Sequence, residues 1–133
     1  KTEAGAQFIS DLAPAVKGGN LLCKRALDTL DQYYMDADLS LVSLSGMLDV
    51  SPNHLSACIK KYAGETFINI LIRKRMEAAR DLLSTSSLKI QEIAQRCGYT
   101  DQHYFSYCFK KYCGESPNAM RRRLDLEKAG EPS

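Results

Sequence analysis

The chain contains 133 residues, enough to bury a helical core, and its formal net charge of +2 is too small to indicate a polyanionic partner by itself. Its five cysteines are odd in number and form no Cys-x-x-Cys pair, which argues against a disulfide framework or a zinc knuckle and favours a reducing cytoplasm. No apolar stretch approaches the roughly 20 residues of a membrane span and there is no secretion signal, so we expect a soluble protein without a membrane partner.

The first predicted element is a leader over residues 1–20, which we interpret as a linker or docking segment. Its apolar residues share one helical face, but Pro14 interrupts them, and Gly18-Gly19-Asn20 separates the leader from the next element. A packing helix is predicted over residues 21–35, and acidic residues dominate residues 28–38. Because residue 1 is Lys rather than Met, we expect the chain to be a piece of a longer protein.

Residues 39–65 show the pattern of a helix, a tight turn and a second helix. Ser51-Pro52 supplies an N-cap followed by a first-turn proline, and Gly64 suits the left-handed position that ends a helix. The second helix carries an apolar face made of Leu55, Cys58, Ile59 and Tyr62. We therefore predict a first helix-turn-helix subdomain over residues 21–65, with Cys58 as a buried small apolar residue.

A connecting helix is predicted from Phe67 to about Leu83, within a segment assigned to residues 66–84. A second helix-turn-helix subdomain follows over residues 85–127, with Thr100 or Asp101 as the N-cap of its second helix and Gly114 at that helix's end. That second helix carries an apolar face made of Tyr104, Phe105, Cys108, Phe109 and Tyr112. Ser116-Pro117 starts a last helix that should end near Leu126, before a tail over residues 128–133.

The two subdomains are copies of one motif. Residues 59–66 (IKKYAGET) match residues 109–116 (FKKYCGES) at an offset of 50, whereas Leu44, Leu48 and Asp49 match Ile93, Cys97 and Gly98 at an offset of 49. One residue has therefore been added in the second copy, at the start of its second helix. The lysine pairs recur with the motif, which favours DNA binding, although a solvated helix face would explain any one of these basic clusters alone.

Residues 22–123 resemble the DNA-binding domain of the AraC/XylS family of transcription regulators. The resemblance is carried by residues 90–99 (IQEIAQRCGY), 104–106 (YFS) and 109–117 (FKKYCGESP), while residues 39–56 look like the family's less regular motif. It implies an all-α, homeodomain-like fold of about seven helices, with two helix-turn-helix subdomains joined by a long connecting helix. It also implies transcription regulation, usually activation, with double-stranded DNA and RNA polymerase as partners and with no catalysis or cofactor. The leader resembles those that follow a response-regulator receiver, although many family members carry a sugar-sensing domain, so the full-length protein is expected to contain a receiver or sensor domain.

The second helix of each subdomain is expected to read DNA, because a helix-turn-helix presents the N-terminal and outward residues of that helix to base edges. The candidate base-contact residues are Asn53, Ser56 and Ala57 in the first copy and Gln102, His103, Ser106 and Tyr107 in the second. Asn53 and Gln102 are the strongest, since an amide can pair with adenine as donor and acceptor together. The candidate phosphate contacts are Lys60, Lys110, Arg121, Arg122, Arg123 and the N-terminal amides of both helices.

Several of these positions have a second interpretation. The family often has arginine where this chain has Ala57 and Tyr107; Tyr107 can touch a thymine methyl or donate to a phosphate, while Ala57 offers only apolar contact. His54 matches a family position that is usually aromatic, which favours packing over DNA contact. Arg75 lies among apolar neighbours and is a candidate structural ion-pair partner, and residues 121–123 could be a solvated helix end.

Two other classes of function fit the sequence less well than DNA binding. A helical protein-interaction module needs exposed apolar surface, but the predicted helices direct their apolar residues inward, so such contacts would add to DNA binding rather than replace it. A cysteine-based DNA repair enzyme needs a reactive thiol near a histidine and a carboxylate, and no such cluster stands out in the sequence.

Overall fold

The structure, a computed structural model, describes residues 18–130. These residues form seven α-helices and no strand. They are α1 (Gly18–Tyr33), α2 (Leu41–Met47), α3 (Pro52–Ala63), α4 (Phe67–Thr85), α5 (Ile90–Arg96), α6 (Gln102–Cys113) and α7 (Pro117–Ala129). The expected all-α fold of about seven helices is confirmed. Residues 1–17 of the leader and the last three residues of the tail lie outside the described residues. None of the helices in the described range is long and apolar enough to cross a membrane.

The described residues form two compact units. The first comprises the residues up to Gln32 together with Ser40–Phe67, and the second comprises Tyr33–Leu39 and residues 68–130. This differs from the sequence-based division in two places. Residues 33–39 belong to the second unit and not to the first subdomain. Nearly all of α4 also belongs to the second unit and is not a separate connector.

The helix boundaries follow local chemistry. The Ser51 hydroxyl accepts a hydrogen bond from the His54 amide at 3.1 Å, with Pro52 in the first turn, and Ser116 caps α7 through the Ala119 amide at 3.1 Å. Gly64 and Gly114 end α3 and α6 with φ values of 81° and 86°, in the left-handed region that glycine adopts without strain. These caps confirm the predicted starts and ends of α3 and α6, and Asp101 is the N-cap of α6. Two helices, α4 and α7, run further than predicted, to Thr85 and Ala129.

The repeat is visible in the backbone as well as in the sequence. The matched residues Asp49 and Gly98 both have positive φ, 59° and 96°, in the turn of their respective units. The amide that follows each of them bonds back to the preceding helix, Val50 to the Ser45 carbonyl at 3.1 Å and Tyr99 to the Ala94 carbonyl at 2.9 Å. Since α2 and α5 start 49 residues apart while α3 and α6 start 50 apart, the added residue is confirmed and corresponds to Thr100.

The Gly18-Gly19-Asn20 segment was predicted to separate the leader from the first helix, and this was wrong. It forms the first turn of α1, three residues before the predicted start. A Cβ at Gly19 would lie 2.9 Å from Cε2 of Tyr62, and the Gly19 carbonyl accepts a hydrogen bond from the Cys58 thiol at 2.8 Å. The glycine therefore lets α1 approach α3 closely within the first unit.

The second unit is built around α6. Its core contains buried residues from α4 (Met76, Ala79, Leu83), α5 (Ile93, Ala94, Cys97), α6 (Phe105, Cys108, Phe109) and α7 (Met120), together with Tyr99. Burial raises the pKa of the Cys97 thiol to about 11, so this thiol stays protonated. The expected burial of Cys58 and Cys108 is confirmed.

Three tyrosines assigned to the apolar faces of α3 and α6 are exposed instead. Tyr62, Tyr104 and Tyr112 keep 43%, 54% and 40% of their surface accessible. Phe105 and Phe109 already fill the core beneath α6, so Tyr104 and Tyr112 lie at the edge of that core, where their hydroxyl groups can remain hydrated. The buried face of each second helix is therefore narrower than the sequence pattern indicates.

Candidate nucleic-acid interface

In the first unit, the surface of α3 opposite the core carries the candidate residues of the first copy. Leu55, Cys58 and Ile59 are buried. The exposed residues include Asn53, His54, Ser56, Ala57 and Lys60. The packing role favoured for His54 is therefore not seen, because its side chain lies on the exposed surface.

In the second unit, α6 repeats this arrangement with different side chains. Phe105, Cys108 and Phe109 are buried. On the other side, Gln102, His103, Tyr107 and Lys110 are exposed, and Ser106 is half-buried. In each unit the structure thus brings the predicted base-contact residues and one lysine onto a single exposed helix surface.

The two helices differ at their N-termini. The Asp101 carboxylate accepts hydrogen bonds from the His103 amide at 2.9 Å and, more weakly, from the Tyr104 amide at 3.4 Å. In the first unit the equivalent cap is the neutral hydroxyl of Ser51. A carboxylate at the end of α6 both occupies these amides and repels an anion, so the N-terminal amides of α6 are poorly suited to the phosphate contact expected of them.

Tyr107 is part of a series of aromatic contacts that reaches the surface of α6. Its ring stacks on Tyr104, with centroids 6.4 Å apart and planes 22° apart, and Tyr104 in turn packs against the buried Tyr99 at 5.9 Å. The ammonium of Lys111 lies 3.4 Å from the Tyr107 hydroxyl and 5.6 Å from its ring centroid. Sequence reasoning did not select Lys111, although its spacing of four residues from Tyr107 places the two on the same helix side.

Arg75 is buried in the second unit, with 7% of its surface exposed. Its Nε donates to the Tyr34 carbonyl at 2.7 Å, its Nη2 donates to the Asp36 carbonyl at 2.9 Å, and its guanidinium lies 5.2 Å from the Tyr99 ring centroid. Its role is therefore structural, as expected, but its partners are carbonyls and an aromatic ring rather than a carboxylate. These bonds fasten residues 34–36 to the second unit.

The arginine triplet of α7 divides into different environments. Arg121 donates to the carbonyls of Leu88 and Ser86, the latter at 3.1 Å. Arg123 pairs with Glu115 at 2.7 Å and with Glu127 at 3.0 Å, whereas Arg122 is exposed. Arg121 thus holds the loop between α4 and α5, and Arg123 is partly neutralised, which leaves Arg122 as the best placed of the three to meet a phosphate.

Comparison with known proteins places this arrangement in a family. A family model described as a helix-turn-helix domain matches residues 44–123. The chain is 45% identical to the C-terminal domain of AraT, a response regulator from Geobacillus stearothermophilus, with a TM-score of 0.75 over 77% of this chain and 84% of that one. It is 33% identical to YijO, an HTH-type transcriptional regulator of Escherichia coli K12, over 80% of this chain and 37% of YijO.

A more distant likeness is one of fold. The DNA-binding domain of AdpA, a global transcriptional factor solved in complex with a target DNA, is 20% identical, with a TM-score of 0.74 over 82% of this chain and 97% of that one. The chain spans about a third of the length of the curated relatives that it matches. Transcription regulators of this kind are not a class of enzyme. The motif, the paired units and the family match together show that the chain belongs to the AraC/XylS family of helix-turn-helix transcription regulators.

Proposed function

We propose that this chain binds double-stranded DNA in a sequence-specific manner, with α3 and α6 each entering a major groove, and that it thereby regulates transcription. The observation that carries the proposal is the repeated surface: two units with matching turns each expose a row of amide, hydroxyl and lysine side chains on the second helix. Amides and hydroxyls suit base edges, and lysines suit phosphates. The AdpA domain, which shares the fold, was solved with its target DNA.

Binding should first be measured by fluorescence anisotropy with DNA selected from a random pool. We expect affinity to fall steeply with salt, because each neutralised phosphate contributes a slope of about 0.9 in log K against log salt. If both helices bind successive major grooves, the selected sequences should contain two half-sites about 10 to 10.5 base pairs apart. A salt-independent affinity or a pool that yields no enriched sequence would contradict the proposal.

Base reading and phosphate binding can be separated within one helix. Gln102→Ala should cost about 1–3 kcal/mol at one half-site and little on random DNA. Lys110→Ala should weaken cognate and random DNA alike and lower the salt slope by about 1. Asn53→Ala and Lys60→Ala are the matched pair in the first unit. Equal losses on cognate and random DNA for Gln102→Ala would show that its amide does not read a base.

Activation and contact with RNA polymerase are further parts of this proposal. Outside the proposed DNA-binding helix, α2 exposes two apolar side chains, Val42 with 67% and Met47 with 51% of its surface accessible, and Val42 is the candidate contact that we select for a test. Val42→Lys should leave DNA affinity unchanged and reduce transcription from a promoter that carries the selected site. We also propose a receiver domain in the full-length protein, because the AraT domain comes from a response regulator.

A further inference from the structure

We propose that the Tyr107 hydroxyl and the Lys111 ammonium together form a clamp for one DNA phosphate, and that this clamp exists in the second unit only. The proposal rests on the proposed DNA binding and assigns a contact within the same surface. It changes the role of Tyr107 from a base reader to a backbone anchor and adds Lys111 to the site.

The first argument is chemical. A lysine ammonium has three donors, and one that donates to the tyrosine hydroxyl at 3.4 Å keeps two others. The hydroxyl accepts that bond and keeps its own hydrogen for a further acceptor. The pair therefore offers a positive charge and a neutral donor next to each other, which is a good match for the oxygens of one phosphate.

The second argument is directional. At 100° per residue, Phe105, Cys108 and Phe109 define the core side of α6. His103, Tyr107 and Lys110 lie opposite, whereas Tyr104 and Lys111 share one flank. A helix with its side chains is about 10–12 Å across and the major groove is about 12 Å wide, so the flanks of an inserted helix meet the sugar-phosphate walls. Because the Tyr107 ring stacks on Tyr104 and its hydroxyl lies 3.4 Å from the Lys111 ammonium, the side chain leans from the front of the helix toward that flank and its wall.

The third argument concerns order. A free lysine on the surface loses rotamer entropy when it binds, which offsets much of its contribution. Here Tyr107 is stacked on Tyr104, and Tyr104 packs against the buried Tyr99, so the ring that positions Lys111 is connected to the core through aromatic contacts. A clamp that is ordered before DNA arrives loses less freedom on binding.

The first unit provides an internal comparison. By the offset of 50 residues, Ala57 stands where Tyr107 stands and Lys61 where Lys111 stands. Without a tyrosine at position 57, the Lys61 ammonium lies 5.2 Å from the ring centroid of Tyr62 instead. The two units should therefore hold the DNA backbone differently, although their helices are matched.

The test is a double-mutant cycle with Tyr107→Phe, which removes only the hydroxyl, and Lys111→Met, which removes only the charged end. On the selected DNA, each variant should weaken binding about three- to tenfold, equally for cognate and random sequences. The double variant should lose less than the product of the two single losses. The control is Lys61→Met combined with Tyr107→Phe, for which the losses should multiply.

A scan with single neutral methylphosphonates identifies the phosphate. One position should weaken the wild type but not the double variant, and replacing thymines by uracil should leave the effect of Tyr107→Phe unchanged. The clamp is refuted if the cycle is multiplicative or if no such position exists. It is also refuted if Tyr107→Phe binds like the wild type while uracil weakens both proteins, which would assign the Tyr107 ring to a thymine methyl. If the wild type itself binds no selected DNA, the proposed function is refuted. If both single variants bind like the wild type, only the clamp is refuted.

Discussion

Replacing Arg75 with methionine tests how the second unit is held together. Methionine keeps a long apolar stem but lacks the guanidinium that donates to the carbonyls of Tyr34 and Asp36. It also removes the cation from the face of Tyr99. The residue is only 7% exposed, so its guanidinium has little contact with water in the folded protein. We expect Arg75→Met to destabilise the second unit and to release residues 34–36.

The size of the loss follows from opposing effects. Hydrogen bonds from a charged donor contribute about 1.5–3 kcal/mol each, which suggests about 3–6 kcal/mol for the two. Removing a buried charge gains back part of this, since the guanidinium lost its hydration on folding. Asp36 is exposed, so water can also reach its carbonyl once the arginine is gone. We therefore expect a net loss of about 2–3 kcal/mol, a large share of the roughly 5–15 kcal/mol of a typical domain.

Urea unfolding followed by helical circular dichroism measures this loss, and the melting temperature should fall by about 10 °C for a domain of this size. Arg80→Met is the control, because Arg80 is exposed on the same helix and its replacement should change stability by no more than about 0.5 kcal/mol. Hydrogen exchange should show faster exchange at residues 34–39 in Arg75→Met. A loss no greater than that of Arg80→Met would refute the structural role of the buried guanidinium.

Three further predictions concern the second unit. Gly98→Ala should destabilise the second unit by more than the roughly 1 kcal/mol that an unfavourable φ costs, because the added Cβ would lie 2.9 Å from Arg75 Nε. Urea unfolding should show that the loss beyond 1 kcal/mol becomes smaller when Arg75 is replaced by methionine. Burial raises the pKa of Cys97 from 9.0 to about 11, so the contribution of this thiol to stability should be constant below pH 9 and fall between pH 9 and 11, as the unfolded state loses its proton. Stability should therefore fall less steeply over this range in Cys97→Ala, and an unchanged slope would contradict the assignment. Asp101→Asn keeps the cap but removes a negative charge, so DNA affinity at low salt should rise for every sequence, and an unchanged or lower affinity would show that this end of α6 does not approach DNA.

The repeat made much of the fold predictable from the sequence. Caps, turns and helix ends depend on interactions between residues close in the chain, and the two copies supported each other at Gly64 and Gly114 and at Asp49 and Gly98. The added residue in the second copy could be located to within a few positions because the offset changes from 49 to 50. The alignment of the copies also predicted which sides of α3 and α6 are buried, apart from the tyrosines at their edges.

The features that the sequence did not predict depend on residues far apart in the chain. Gly19 lies so close to Tyr62, 43 positions away, that a Cβ would not fit, and Arg75 is bonded to carbonyls 41 and 39 positions before it. Arg121 reaches back to Ser86, so an apparently uniform basic triplet contains one side chain committed to a loop. Local pattern carries no information about such contacts, since backbone carbonyls are available as partners at every position.

The two units differ most where a shared backbone meets different neighbours. Asp49 adopts a positive φ of 59° in the first turn, which shows that this turn does not require glycine, and aspartate is among the residues that tolerate it. In the second turn the matched Gly98 faces the Arg75 guanidinium, and any side chain would collide with it. Arg75 also covers the Tyr99 ring, against which Tyr104 and then Tyr107 pack. The glycine is therefore explained by the arginine as well as by its own φ of 96°. The same arginine supports the aromatic series that sets the position of the proposed phosphate clamp.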